Sequence, residues 1–211
     1  MPPSTHLLLG VTGGIATGKT TVANMLEQRG APIIDFDVLA RRVVEPDKPA
    51  WKDIVDYFGE EILLEDRTLD RKKLSGIVFR DGEKRTKLEG FIHPRTGIEY
   101  TEQIDRITAA DPNAVIQAVV PLLFEANMRD LFEKILLVYT PREAQTERLV
   151  LRDGITEEEA SRILDAQLPI DEKVGFADFV INNEKGLEET KKQVEDLWKK
   201  LKKIQAEKQA G

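Results

Sequence analysis

Two short constellations in this sequence carry residue types able to do chemistry. The first is Gly13-Gly14-Ile15-Ala16-Thr17-Gly18-Lys19-Thr20, which fits G-x-x-x-x-G-K-[ST] in full. Glycines at those places let backbone N–H groups turn inward around phosphate oxygens, and a helix opening directly after them offers its positive end to the same anion. Lys19 can reach the outer phosphates of a nucleotide, and the Thr20 hydroxyl is a hard-oxygen ligand for Mg²⁺. The second constellation is Asp35 and Asp37 in IIDFD. A carboxylate beside an acceptor hydroxyl orients it and takes its proton during phosphoryl transfer, and the other acid can hold Mg²⁺ through water. Asp37 is equally suited to N-cap the helical run that follows, so its residue pattern leaves both readings open.

Both constellations need elements to aim them. Residues 7–12 form an apolar run that predicts a strand buried on both faces, followed by a helix from about residue 19 to 29 that ends at Gly30. APIIDFD predicts a second short strand ending in the two acids. Ligands of open parallel sheets bind beyond the carboxyl ends of the strands, which sends both acids toward the crevice of the phosphate loop once the chain bends between them. Further strands are predicted in AVIQAVVPLLFE, KILLVYTP and ADFVINN, a charged helix pair over 142–167, and a lysine-rich amphipathic helix over 187–206. From Val38 the pattern is helical; Pro46 and Pro49 break it and WKDIVDYFG resumes it. Residues 69–108 read as several helices with Leu74, Ile77, Val78, Leu88, Phe91 and Ile92 buried. Strands alternating with helices imply a parallel sheet covered on both sides. The mostly helical stretch 41–108 interrupts that alternation and reads as an inserted substrate domain.

Composition narrows the chemistry. The 211 residues are 41% hydrophobic and 33% charged, enough for one sizeable domain or a core with two small inserts. The absence of cysteine removes disulfides, thiol catalysis and thiolate zinc sites, and two histidines, His6 and His93, argue against a histidine-rich metal site. A net charge of −7 argues against non-specific nucleic-acid binding. No apolar run approaches the roughly 20 residues that span a bilayer, and MPPSTHLLLGV lacks a basic n-region and a cleavage site, so a cytoplasmic protein without a membrane partner is expected. Asn-Lys-x-Asp is absent, which leaves guanine specificity unsupported.

With these segments in order, the sequence resembles the dephospho-CoA kinase family. The resemblance runs from about residue 8 to 183, through GVTGGIATGKTTVA, IIDFDVLARRVVEP, LDRKKLSGIVF, IHP, VPLLFE, RLVLRDG and ADFVINN. Its most specific parts are D-x-D-x-x-A-R-x-V-V-x-P and P-L-L-F-E. It implies an α/β fold of the P-loop NTPase type: three layers, a parallel five-stranded sheet, a helical substrate-binding insert and a helical lid. The expected division is 1–40, 109–141 and 171–211 for the nucleotide-binding core, 41–108 for the insert and 142–170 for the lid. The implied reaction is ATP-dependent phosphorylation of the ribose 3′-hydroxyl of dephospho-CoA to coenzyme A and ADP, with Mg²⁺ accompanying ATP, in a monomer or weak homo-oligomer.

Carried over by position, the resemblance implies ATP contacts at Gly13, Gly14, Ile15, Ala16, Thr17, Gly18, Lys19, Thr20, Thr21, Arg148 and Arg152. It implies Asp37 as the base, with Lys19 and Arg152 assisting, and Thr20 on Mg²⁺ with Asp35 as a further candidate ligand. It implies acceptor contacts at Thr12, Asp35, Asp37, Arg41, His93, Pro121 and Leu122. Bland readings stand beside these: Arg41 as a surface arginine, Arg148 and Arg152 as one face of a solvated helix, and His93 as a helix cap before Pro94. Gln167 and Pro169 match the family's A-Q-x-P. The chain departs from the family at Val119, where many members carry an acid, and at Ala16 and Thr17, where glycine and serine are frequent. A kinase of another nucleoside or nucleotide on the same fold, and an ATP-dependent switch that binds a partner, are the rival readings.

Overall fold

The computed structural model describes residues 5–210. The first four residues of MPPSTHLLLGV and Gly211, at the end of the expected core segment, lie outside the described residues. In chain order the elements are β1 (Leu7–Gly13), α1 (Lys19–Glu27), β2 (Ile33–Asp35), α2 (Phe36–Arg42), α3 (Pro49–Phe58), α4 (Arg71–Arg80), α5 (Gly82–Ala110), β3 (Val115–Val119), β4 (Lys134–Tyr139), α6 (Arg142–Asp153), α7 (Glu157–Asp165), α8 (Ile170–Val174), β5 (Phe179–Asn182) and α9 (Leu187–Ala210). They divide into two compact units, one running up to Ile34 and again from Arg106 onward, the other spanning Asp35–Asp105. Among the described residues no helix is long and apolar enough to cross a membrane.

The first unit is built on a five-stranded parallel sheet in the order β2-β3-β1-β4-β5. Central β1 pairs in parallel with β3 on one side and β4 on the other. Leu7, Leu9 and Val11 point to one face, where Val22 and Leu26 of α1 meet Val194, Leu197 and Leu201 of α9. Alternate residues point to the other face, and Gly10 there is close to Phe132 and Leu123, so an added Cβ would lie within 3 Å of both. The continuous apolar runs in the sequence thus follow from burial on both faces. α9 also grips the start of the sheet: Lys208 Nζ donates to His6 O and pairs with Glu133, both at 2.6 Å, and Glu133 Oε1 in turn accepts from Leu8 N.

The second unit has its own core. Trp51, Ile54 and Phe58 of α3 pack with Val43, Val44, Ile62, Leu69 and Leu74. Pro49 does not break a helix; it occupies the first turn of α3, where its missing N–H is harmless. The expected several helices of 69–108 are two, α4 and α5. α5 runs straight through Pro94, which overturns the reading of His93 as a cap: His93 lies mid-helix and exposed. Around the proline, Arg95 Nη1 donates to Phe91 O at 2.8 Å and Thr96 Oγ1 to Ile92 O at 3.0 Å, so side chains serve carbonyls next to the interruption.

α2 begins at Phe36, two residues before the expected Val38, and its cap is Asp35, not Asp37. The Asp35 Oδ1 accepts from Asp37 N at 2.8 Å and Val38 N at 3.2 Å. Replacing Asp35 by alanine is expected to cost about 1 kcal/mol of stability, with serine restoring most of it; thermal denaturation of the two variants checks this.

Candidate functional site

The phosphate loop follows from β1 and two glycines that no other residue can replace. At Gly13 an added Cβ would lie 2.5 Å from Val138 O and 2.7 Å from Thr17 Oγ1. Gly18, the residue before α1, has φ +86°, and a side chain there would run into Asn183 Nδ2. Between them Ala16 takes φ +59°. A left-handed alanine stores about 1–2 kcal/mol of strain that the glycine frequent in the family at this place would not.

That strain is held by side chains on every side of the loop. Thr17 Oγ1 donates to Gly14 O at 2.9 Å, and Asn183 Nδ2 donates to Thr17 O at 2.8 Å. The peptide groups around Ile15 are gripped from α6 and from the bend that follows α7. Gln145 of α6 donates to Ile15 O at 2.7 Å, and Ile15 N donates to Gln167 Oε1 at 3.1 Å. Arg148 donates to Ala16 O at 3.4 Å, Thr140 Oγ1 at 3.2 Å and Asn183 O at 2.7 Å. Lys19 Nζ rests on Gly13 O and Gly14 O, each at 3.1 Å.

The loop walls a cavity of about 540 Å³, lined by residues 15–21 together with Arg148, Arg152 and Asn183. The two arginines sit one helical turn apart and differ in freedom. Arg148 is committed to the loop, whereas Arg152 is exposed and bonds its neighbour Asp153 at 2.7 and 2.8 Å. That bond raises the Arg152 guanidinium and holds the Asp153 carboxyl below the usual range. Thr20 and Thr21 are exposed at the start of α1. Asn183, Gln145 and Thr140 were not singled out from the sequence. Asn183 stood in the ADFVINN segment, while Gln145 and Thr140 are ordinary polar residues whose partners only the fold reveals.

Mg²⁺ fits this donor set. Among the described residues no cluster of three or more His, Cys, Asp or Glu side chains forms a metal cage, and Val119 ends β3 with an apolar side chain. The Thr20 hydroxyl is a single hard oxygen beside a phosphate-sized cavity, which suits an ion that takes most of its ligands from phosphates and water.

The segment after β3 carries the remaining residues assigned to this unit. Buried Thr12 donates through Oγ1 to Pro121 O at 3.4 Å, and Leu122 is 45% exposed. Close by, Glu125 of PLLFE fixes the end of the α6–α7 segment: Oε1 lies 2.6 Å from Nζ of the wholly buried Lys173 and accepts from Leu168 N at 3.0 Å.

In the second unit, Asp37 and Arg41 occupy one face of α2, four residues apart. Capping is done by Asp35, so the exposed Asp37 carboxylate is not needed as the cap and serves its own helix only as the acid of the first turn. The structure thus brings the phosphate loop, Arg148 and Arg152 around one cavity, and Asp35, Asp37 and Arg41 onto one short helix and its cap.

Comparison with known proteins gives one consistent family. The dephospho-CoA kinase profile matches residues 7–189. A dephospho-CoA kinase of Listeria monocytogenes is 47% identical over 186 residues, 88% of this chain and 92% of its own. That of Syntrophus aciditrophicus is 44% identical over 195 residues, 92% of this chain and 83% of its own. Among solved structures, TT1252 from Thermus thermophilus superposes with a TM-score of 0.80 at 31% identity, covering 91% of this chain and 95% of its own. A dephospho-CoA kinase from Campylobacter jejuni gives 0.70 at 29% identity, covering 93% and 97%.

Proposed function

Since this chain belongs to the dephospho-CoA kinase family, we propose how its own residues perform the reaction. The enzyme is a kinase that phosphorylates dephospho-CoA at the expense of ATP, completing coenzyme A. The observation that carries the assignment of roles is the cavity walled by the glycine loop, with Lys19 and Thr20 on its rim. In this reading ATP lies with its phosphates against residues 13–21. Lys19 exchanges the Gly13 and Gly14 carbonyls for phosphate oxygens. Mg²⁺, held by Thr20 and the phosphates, would neutralise phosphate charge; Asp35, whose Oδ1 caps α2, is the further candidate ligand through its other carboxylate oxygen.

Asp37 takes the proton from the ribose 3′-hydroxyl as its oxygen attacks the γ-phosphorus in line, and ADP leaves. Arg152 supports the transferring group, since Arg148 is already spent on the loop. Arg41 and His93, with Thr12, Pro121 and Leu122, receive the acceptor. The compact unit Asp35–Asp105 supports reading 41–108 as the acceptor insert, leaving 1–40, 109–141 and 171–211 to the nucleotide and 142–170 to the lid. A cytoplasmic location and a monomer or weak homo-oligomer belong to the same proposal.

The test is ADP release measured with dephospho-CoA, adenosine, AMP and no acceptor. The expected result is rapid release with dephospho-CoA and slow release in the other three. Equal release in all four would replace the kinase by an ATP-hydrolysing switch, and a preference for AMP or adenosine would reassign the acceptor.

A further inference from the structure

Within the phosphate loop the peptide groups reverse their sense, and they do so at Ile15. A trans peptide group points its C=O and its N–H in opposite directions. In the peptide joining Gly14 to Ile15 the carbonyl faces Lys19 Nζ at 3.1 Å and Thr17 Oγ1 at 2.9 Å, and the N–H leaves the other way, to Gln167 Oε1 at 3.1 Å. In the next peptide the sense is inverted. Ile15 O accepts from Gln145 Nε2 at 2.7 Å, so the Ala16 N–H points away from that glutamine. Gln145 and Gln167 are not on the wall of the 540 Å³ cavity; with Gly14 they line a separate space of about 50 Å³. Ala16 does line the large cavity, and its N–H has no partner among the described residues.

Two further observations show that the inversion is imposed. Ala16 stands in the left-handed region at φ +59°, a conformation that alanine keeps only where its surroundings over-determine it. Gly14 shows what does so. The pattern G-x-x-x-x-G-K leaves its second position open, and Gly14 lies outside the left-handed region. Yet a Cβ on Gly14 would stand 2.4 Å from Gln145 Nε2. Glycine at this place makes room for the amide that grips Ile15 O. Gln145 is itself 2% exposed on α6, so packing holds its side chain in place. An amide suits the task, because it donates to a carbonyl without bringing a charge into a buried position.

We propose that Gln145 is a positioning residue for the nucleotide. By holding Ile15 O away from the large cavity it keeps the Ala16 N–H aimed at the phosphates, while Gln167 fixes the preceding peptide in the opposite sense. The inference rests on the reading that ATP lies with its phosphates against residues 13–21. Backbone N–H groups turned to one side form an anion-binding hollow, and their bonds to phosphate oxygens are charge-assisted. Gln145 touches no phosphate; it acts through the orientation of one peptide plane.

The test uses Gln145→Met, close in length and shape but unable to donate. Its Kd for ATP and for ADP, titrated well below its Tm, is expected to rise about tenfold, while the KM for dephospho-CoA at saturating ATP stays within about twofold. Gln145→Glu, whose ionised carboxylate accepts but does not donate, is expected to lose at least as much. Gly14→Ala, which pushes the Gln145 amide aside, is expected to reproduce the loss. Adding Ala16→Gly to Gln145→Met is expected to recover most of the lost ATP affinity, because glycine takes the left-handed conformation unaided. A lowered Tm with unchanged ATP affinity would reduce Gln145 to packing and overturn the inference. So would a loss that Ala16→Gly leaves untouched, or an equal weakening toward dephospho-CoA; each of these leaves the kinase reading intact. A wild-type protein that binds no ATP would overturn the placement of the nucleotide on the loop, and this inference with it.

Discussion

Asp37→Asn is expected to lower turnover of dephospho-CoA by roughly 10²–10⁴-fold, the range for losing a positioned general base. ATP affinity is expected to stay near that of the wild type, because nucleotide binding is assigned to the loop of residues 13–21. The amide is close in size to the carboxylate and can still orient a hydroxyl, but it does not accept its proton. Stability is expected to fall by no more than about 0.3–1 kcal/mol, the worth of an acid in a first helical turn, because Asp37 is exposed and the cap of its helix is supplied by Asp35. The matched control is Asp35→Asn, whose side-chain oxygen can still accept from the N–H groups of Asp37 and Val38. Steady-state ADP formation together with nucleotide titration separates the two variants. Near-normal turnover in Asp37→Asn would remove that carboxylate from the chemistry.

Glu125→Ala is expected to destabilise the protein by about 3 kcal/mol, near the lower end for breaking a buried ion pair, because the Glu125 side chain keeps 22% of its exposure. In a domain of this size that lowers Tm by roughly 6–12 °C. The damage falls on Lys173, which is wholly buried and has, among the described residues, no compensating group but this carboxylate. If so, adding Lys173→Met, which removes the stranded ammonium, recovers most of the lost Tm; a double variant as unstable as the single one would locate the cost elsewhere.

The effect also has a pH signature. Burial works to raise the Glu125 carboxyl, but the bond and charge of Lys173 and the N–H of Leu168 outweigh it and hold the group below the ordinary range. A carboxyl depressed in the native state contributes fully above its unfolded value, about 4.3 for glutamate. The contribution fades as pH falls through the native value. The Tm difference between wild type and Glu125→Ala is therefore expected to be constant near neutrality and to narrow only below about pH 4.3.

The fold could be read from the sequence wherever one local rule decided the outcome. Apolar runs bounded by turns located all five strands; burial on both faces explains the runs of the inner strands β1, β3 and β4, while the edge strands β2 and β5 are short and only partly buried. The glycine loop was legible because Gly13 and Gly18 meet steric conditions that the spacing itself encodes. Matters that depended on which of two neighbours wins a contact were not legible. Asp35 and Asp37 both suit a cap, and only the start of α2 at Phe36 gives the task to the first. Pro94 has the signature of a break, yet α5 continues through it, with the side chains of Arg95 and Thr96 bonded to the carbonyls of Phe91 and Ile92 just beyond the one its missing N–H leaves. The grip of Gln145 and Gln167 on Ile15 joins residues 130 and 152 positions apart, a relation no local pattern expresses.

The bond network at the start of the sheet bears on how the chain matures. β1 is the middle strand, yet its partners are made late: β4 begins at Lys134, and α9, which covers Leu7 and Leu9, begins at Leu187. The clasps from Gln205 to Thr5 and from Lys208 to His6 close loops spanning 200 and 202 positions. During synthesis the strand leading into the nucleotide loop waits unpaired until β3 and β4 have been made, and one of its greasy faces stays uncovered until α9, nearly the end of the polypeptide, has left the ribosome. Nascent chains halted before α9 would be targets for chaperones and proteases, and competence to hold ATP would arrive in a single late step.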